Sequence, residues 1–333
     1  MRIGVAGVGR IGAFHAQTLK AIDEIDSLVL ADAVPSRAAD VAAGLNVEHV
    51  ATPNDLFTAG VDGLVIAAAT DAHAGLILGA VDAGIPVFCE KPVAPDAAGT
   101  RAVLDKVRGS SVPVQIGFQR RFDAGFTAAR DAVAAGRLGW VHTLRAGTLD
   151  PAPPPPEYVA SSGGLFRDCS VHDFDAIRWV TGQEVVEVYA LGANRGASFF
   201  RDAGDIDTAA ALLTLADGGF AHVAATRYNG AGYDVRLEVL GSEQSISVGL
   251  DDRLPLRSTE PGVTFPAGTP YPMFMDRFHA AYVAELTGFT DIVAGRAEPS
   301  CTVADALEAF LIAEACELSR AEHRPVGVDE VRT

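Results

Sequence analysis

Met1-Arg2-Ile3-Gly4-Val5-Ala6-Gly7-Val8-Gly9-Arg10-Ile11-Gly12 decides the fold. A short apolar run ends in a G-x-G-x-x-G pattern, and Ile11 to Ala21 then reads as a helix. In such a strand-to-helix turn the first glycine permits the tight bend, the second lets backbone approach a pyrophosphate, and the third lets helix pack on strand. A second apolar run, Ser27 to Ala31, leads to Asp32, twenty residues after Gly12. A carboxylate there accepts hydrogen bonds from adenosine ribose hydroxyls, so strand, turn, helix, strand and acid together predict dinucleotide binding. Asp32 favours NAD, because a 2′-phosphate would meet a like charge. Arg37, five residues on, keeps NADP open.

Strands and helices keep alternating: Gly63 to Ala69, Ala72 to Ala83, Pro86 to Cys89, Ala97 to Arg108, Val112 to Phe118. That alternation predicts a doubly wound parallel sheet covered on both faces, an α/β Rossmann domain over 1–119. Beyond it, helices at Ala124 to Ala135 and Val171 to Thr181 accompany strand-like runs at Glu184 to Leu191, Thr208 to Ala216, Gly219 to Arg227 and Tyr233 to Leu240. Turns at Ala216 to Gly219 and Tyr228 to Gly230 suit tight β connections, so 120–333 is expected to be an α+β domain with a large open antiparallel meander. A last helix, about Cys301 to Glu317, packs back onto one of the two domains. Pro151 to Pro156 reads as a stiff surface loop, either a connector or a lid.

With 333 residues, 49% of them hydrophobic and 21% charged, the chain can fill two cores. Its 26 Lys and Arg against 43 Asp and Glu give a formal net charge of −17, with no basic run, which argues against nucleic-acid partners. Cys89, Cys169, Cys301 and Cys316 form no metal-like spacing and read as reduced packing residues. No long apolar segment or signal-peptide profile is present, so no membrane partner and a cytoplasmic location are expected.

Two further motifs carry chemistry. In Glu90-Lys91-Pro92, Lys91 follows a buried strand and could hydrogen-bond a substrate oxygen, although a surface lysine at a strand end reads the same way. In Gly163-Gly164-Leu165-Phe166-Arg167-Asp168-Cys169-Ser170-Val171-His172-Asp173-Phe174-Asp175, the residues Asp168, His172 and Asp175 fall on one helical stripe. An Asp–His pair makes a positioned general base. Spacing alone leaves a structural histidine equally open, and a metal site is the weakest of the readings.

Taken together, GVGRIG, EKP and DxxxH resemble the Gfo/Idh/MocA oxidoreductase family over essentially the whole chain, and within it the inositol dehydrogenases. The resemblance implies that Lys91 orients the reacting hydroxyl, that His172 accepts its proton and that Asp168 supports His172. It implies substrate contacts for Asp175, Arg121 and Tyr233. For the cofactor it implies Gly7, Gly9, Arg10, Ile11, Gly12, Asp32, Arg37, Thr70, His73, Glu90, Lys91 and Gln119. In Thr70-Asp71-Ala72-His73, Asp71 replaces the proline of the family's Thr-Pro-x-x-His. The expected reaction is NAD-dependent oxidation of a cyclic polyol such as inositol, with no metal, in a homo-oligomer, a tetramer or dimer. An NAD(P)-dependent sugar or glycoside dehydrogenase and a non-catalytic dinucleotide sensor are the alternatives.

Overall fold

In the computed structural model, which describes residues 1–332, the chain divides into two compact units. The first comprises Met1–Phe122 and Ala280–Leu307. It opens with β1 (Arg2–Ala6), α1 (Arg10–Lys20), β2 (Ser27–Ala31), α2 (Pro35–Leu45) and β3 (Glu48–His49). It continues with β4 (Gly63–Ile66), α3 (Thr70–Asp82), β5 (Val87–Glu90), α4 (Ala97–Arg108) and β6 (Val114–Gly117). The sheet order is β3-β2-β1-β4-β5-β6 and every pairing is parallel. β1 and β4 are neighbours from which the chain winds in opposite directions, the switch point where such sheets bind ligands at their carboxyl edge. Apart from the short β3, burial is nearly continuous along these strands, as a sheet covered on both faces requires.

The core of this unit joins Ile3, Val5, Leu19, Leu30, Val65 and Phe88 to Leu286, Phe289 and Ile292. The latter three come from far along the sequence, and they correct the expectation of a single boundary at 119/120. An amphipathic helix does not announce which core its apolar face will fill. Here Phe289 and Val293 close over Gly63, where a Cβ would come within 2.6 Å of Val293.

The second unit comprises Asp123–His279 and Glu308–Thr333. Its elements are α5 (Ala124–Ala134), β7 (Val141–Leu149), α6 (Pro156–Ser161), α7 (Val171–Thr181), β8 (Val185–Ala193), α8 (Phe199–Asp202), β9 (Thr208–Leu215), β10 (Phe220–Thr226), β11 (Asp234–Gly241), β12 (Ser245–Val248) and α9 (Phe274–Arg277). There follow α10 (His279–Val293), which returns the chain to the first unit, α11 (Val303–Glu322), and β13 (Val326–Gly327). The sheet order is β12-β11-β7-β10-β9-β8-β13.

Here the expected meander is only partly realised. β9 and β10 form the antiparallel hairpin, but β7 sits between β10 and β11 and pairs parallel with β10. The turn at Tyr228 to Gly230 therefore starts a crossing over β7 rather than a hairpin. β7 is weakly apolar: only Leu144, Ala146 and Thr148 are buried along it, so its alternation is hard to see in sequence. One face of the sheet is buried through Leu213, Val223, Leu237 and their neighbours. The other leaves Tyr189, Leu191 and Leu212 exposed.

Candidate active site

The glycine turn divides its labour as the motif requires. Gly7 has φ 89°, which an L side chain rarely adopts, and its N–H donates to Ala31 O at 2.8 Å. A Cβ on Gly12 would lie 1.9 Å from Gly7 O, so only glycine lets α1 start this close to β1. Around Gly9 a Cβ would meet nothing within 4 Å, and no side chain caps α1. An open glycine before uncapped N–H groups is what a pyrophosphate needs, so these residues fit a dinucleotide. Arg10 is exposed and Ile11 half-buried at the same helix start.

Asp32 is held from three sides. Val8 N–H donates to Oδ2 at 2.9 Å, Val34 N–H to Oδ1 at 2.8 Å, and Arg37 Nη1 to Oδ1 at 3.0 Å. Burial pushes the Asp32 carboxyl up, but the N–H groups of Val34 and Val8 and the Arg37 charge outweigh it and hold it below the usual carboxylate range. The result is a fixed anion beside the glycine turn, and half-exposed Arg37 is tethered to it.

Glu90, Lys91 and Pro92 follow at the end of β5, with a cis bond between Lys91 and Pro92. Glu90 Oε1 lies 2.6 Å from Nε2 of His15, a fully buried residue of α1. The other carboxylate oxygen rests on Gly117 of β6, where a Cβ would come within 3.1 Å of it. Aromatic rings of Phe14, Phe88 and Tyr282 surround the His15 imidazole at 5.9, 5.8 and 5.7 Å. Half-buried Lys91 thus leaves a strand end fixed by the helix that begins at the glycine turn.

Thr70 opens α3, and Asp71, in the place of the family's proline, is exposed in its first turn and suits the helix dipole. His73 is buried, with Nδ1 2.7 Å from Pro92 O and Nε2 3.0 Å from Ala68 O. It ties the turn after Lys91 to the loop after β4. Gln119 is buried in the tight turn Gln119–Phe122. Arg121 is buried, donates through Nη1 to Ser300 O at 2.5 Å and lies 3.4 Å from Asp305. Its guanidinium anchors the segment that returns to this unit.

In the second unit, Phe166–Ser170 form a π-helical turn that runs into α7. Such π-helical turns are frequent at functional sites. Asp168 and His172 are both partly accessible. Asp175 is not: it is 0% exposed, as is Asp173, whose Oδ2 accepts from Thr148 Oγ1 at 2.8 Å. Tyr233 is also buried, its ring edge-on to Phe274 and Phe278, and its N–H donates to Tyr271 O.

The sequence reading missed His15, Gly117 and Arg227. His15 falls three residues after Gly12 on the buried face of α1, a signal that could have been used; a lone arginine at the end of β10 gives none. Among the described residues no group of three His, Cys, Asp or Glu could hold a metal ion, and no helix is long and apolar enough to cross a membrane. All four cysteines are buried free thiols, and burial pushes those of Cys89 and Cys316 well up.

Residues 1–118 match the oxidoreductase family with an NAD-binding Rossmann fold, and residues 126–247 match the C-terminal domain of the same family. The chain is 39% identical to a myo-inositol dehydrogenase of Streptomyces leeuwenhoekii, over 96% of this chain and 97% of that one. A crystal structure of a myo-inositol dehydrogenase from Corynebacterium glutamicum superposes with a TM-score of 0.90 at 34% identity, covering 98% of each chain. A scyllo-inositol dehydrogenase from Lactobacillus casei, crystallised with NAD(H) and scyllo-inositol, gives 0.88 at 28% identity, covering 99% of each. Its glycine turn, its sheet order and its near full-length likeness to these enzymes make the chain a member of the Gfo/Idh/MocA oxidoreductase family.

Proposed function

We propose that the protein is an NAD-dependent dehydrogenase that oxidises a ring CHOH of a cyclic polyol, an inositol, to the ketone. The observation that carries this reading is likeness along nearly the whole chain to myo- and scyllo-inositol dehydrogenases. It is joined to an open glycine turn with a fixed Asp32 anion beside it. NAD, when bound, supplies the hydride acceptor.

The chain's own groups handle the oxygen. His172 takes the hydroxyl proton as the ring C–H hydrogen departs with its electron pair, leaving a carbonyl. Lys91 donates a hydrogen bond to that oxygen and stabilises the negative charge that develops on it. Asp168 orients His172 and favours its protonated form. Asp32, ionised and tied to Arg37, selects NAD over NADP by repelling a 2′-phosphate. The exposed Tyr189, Leu191 and Leu212 suit a homo-oligomer, a dimer or tetramer joined through the sheet, and we assign the protein to the cytoplasm.

The test is reduced-nicotinamide absorbance with myo-inositol, scyllo-inositol, glucose and glycosides, each with NAD and NADP. Turnover of an inositol with NAD supports the reading, and Lys91→Met then abolishes turnover while NADH still binds. Turnover confined to a sugar, or a Lys91→Met enzyme of unchanged kcat, overturns it.

A further inference from the structure

Asp168 lies in a π-helical turn, a less regular support than an α-helix, yet its carboxylate is gripped from outside that turn. Oδ2 accepts from Arg227 Nη2 at 2.6 Å, and Oδ1 accepts from the Tyr158 hydroxyl at 2.9 Å. Arg227 stands just past the end of β10 and is 4% exposed. Its Nη1 donates to Asp150 Oδ2 at 2.7 Å and lies 2.8 Å from Cys169 Sγ. One buried guanidinium thus bridges two carboxylates, a geometry in which each hydrogen bond is charge-assisted. Burial alone would push that guanidinium down, but Cys169, Asp168 and Asp150 hold it well above its ordinary value, so it stays charged.

The segment between Asp150 and Tyr158 explains how the tyrosine arrives. Asp150 is pinned by its N–H to Thr226 O at 2.8 Å and by its carbonyl, which accepts from Asn229 N–H at 2.7 Å. Next comes Pro151-Ala152-Pro153-Pro154-Pro155-Pro156, whose fixed φ values leave little chain entropy to lose. α6 then begins at Pro156 and carries Tyr158, 42% exposed overall but with its hydroxyl on Asp168. Both ends of the proline strut therefore close on the same network, one through Arg227 and Asp150, the other through Tyr158 and Asp168.

We propose that Arg227 and Tyr158 are positioning residues for the dehydrogenation, the proline strut serving to deliver Tyr158, and that together they fix the rotamer of the Asp168 carboxylate. This rests on the reading of Asp168 as a catalytic residue. The strut is neither a bare connector nor a mobile lid on this account, because its function is to be stiff.

The experiment compares Tyr158→Phe, Arg227→Lys and Arg227→Gln with wild type in inositol oxidation, in NADH binding and in thermal unfolding. It repeats Tyr158→Phe in an Asp168→Asn background. Tyr158→Phe removes one exposed hydroxyl and leaves the fold intact, so it keeps the test clean if Arg227→Gln fails to fold. The expected losses in kcat are roughly 3- to 10-fold for Tyr158→Phe and roughly 10- to 100-fold for Arg227→Lys, within the ~10²- to 10⁴-fold a general base contributes, with NADH affinity unchanged. In the Asp168→Asn background Tyr158→Phe costs nothing further, since its effect passes through Asp168. Wild-type kcat in Tyr158→Phe, or an undiminished loss in the double variant, overturns the proposal while leaving the dehydrogenase reading standing. A wild-type protein inactive on every inositol removes the reaction and this role with it.

Discussion

Gly9 and Gly12 are two residues of one motif, and the structure predicts opposite phenotypes for them. Gly12→Ala places a Cβ 1.9 Å from Gly7 O, a backbone atom that cannot swing aside, so the start of α1 must move by more than an ångström. The expected result is a destabilised first unit, by about 1–3 kcal/mol as for other overpacked sites, along with weak cofactor binding. Gly9→Ala meets no protein atom within 4 Å, and its φ of −65° is one that alanine adopts freely. Folding should be unaffected or gain about 0.4–1 kcal/mol from the stiffer unfolded chain, a rise of at most a few degrees in Tm. The new methyl would stand where the pyrophosphate approaches the N–H groups of α1. Losing one charge-assisted hydrogen bond there costs about 1.5–3 kcal/mol, which is roughly a 10- to 150-fold weaker Kd for NADH. Titration of NADH fluorescence and a thermal melt measure both quantities on the same samples. A Gly9→Ala protein that binds NADH as wild type does would refute the placement of the pyrophosphate over Gly9, whatever Gly12→Ala does.

Two other perturbations follow from the same unit. His15→Ala removes a fully buried ring and the partner of Glu90 while leaving the glycine turn untouched. We expect about 2–4 kcal/mol of destabilisation in urea melts, and kcat reduced more than NADH affinity; a stable variant with normal kcat would show that Glu90 needs no such anchor. Asp32 has a folded pKa below its unfolded one, so its stabilising contribution is present above about pH 4 and is lost as pH falls through the folded value. The stability gap between wild type and Asp32→Asn in urea melts should therefore be open at pH 7 and narrow below about pH 4, and a pH-independent gap would contradict an ionised Asp32.

How legible the molecule was depends on where each signal is stored. The Rossmann half could be read because its information is local: glycines at i, i+2 and i+5 after a strand, an acid at the next strand end, and apolar runs buried on both faces. β7 escaped because Leu144 is its one large apolar buried residue, Ala146 being small and Thr148 polar, and no turn residue ties it to β10 or β11. Long-range contacts of other residues were equally out of reach. Arg121 meets Ser300 and Asp305, contacts with a distant segment that spacing does not announce. Arg227 was invisible for the same reason, since its partners Asp150 and Asp168 lie 77 and 59 residues away.

The cofactor-side groups share one mechanical feature. Gly7, Gly9 and Gly12 set the start of α1, and three residues later the same helix carries His15, whose ring holds Glu90 at the end of β5. Gly117 on β6 lets Glu90 lie flat against its neighbour, and His73 holds the carbonyl of Pro92 on the far side of Lys91. Lys91 is thus bracketed by two anchors, one on α1 and one on α3, the helices that follow the switch-point strands β1 and β4. A lysine on an unsupported loop would sample many rotamers and lose much of its value to a developing alkoxide, because electrostatic stabilisation depends on donors that are already in place. Placing both anchors on the elements that define the dinucleotide site makes the position of Lys91 a consequence of the Rossmann architecture itself. A variant that shifts α1, such as Gly12→Ala, should therefore impair the lysine and the cofactor together, whereas one confined to the pyrophosphate path, such as Gly9→Ala, should spare the lysine.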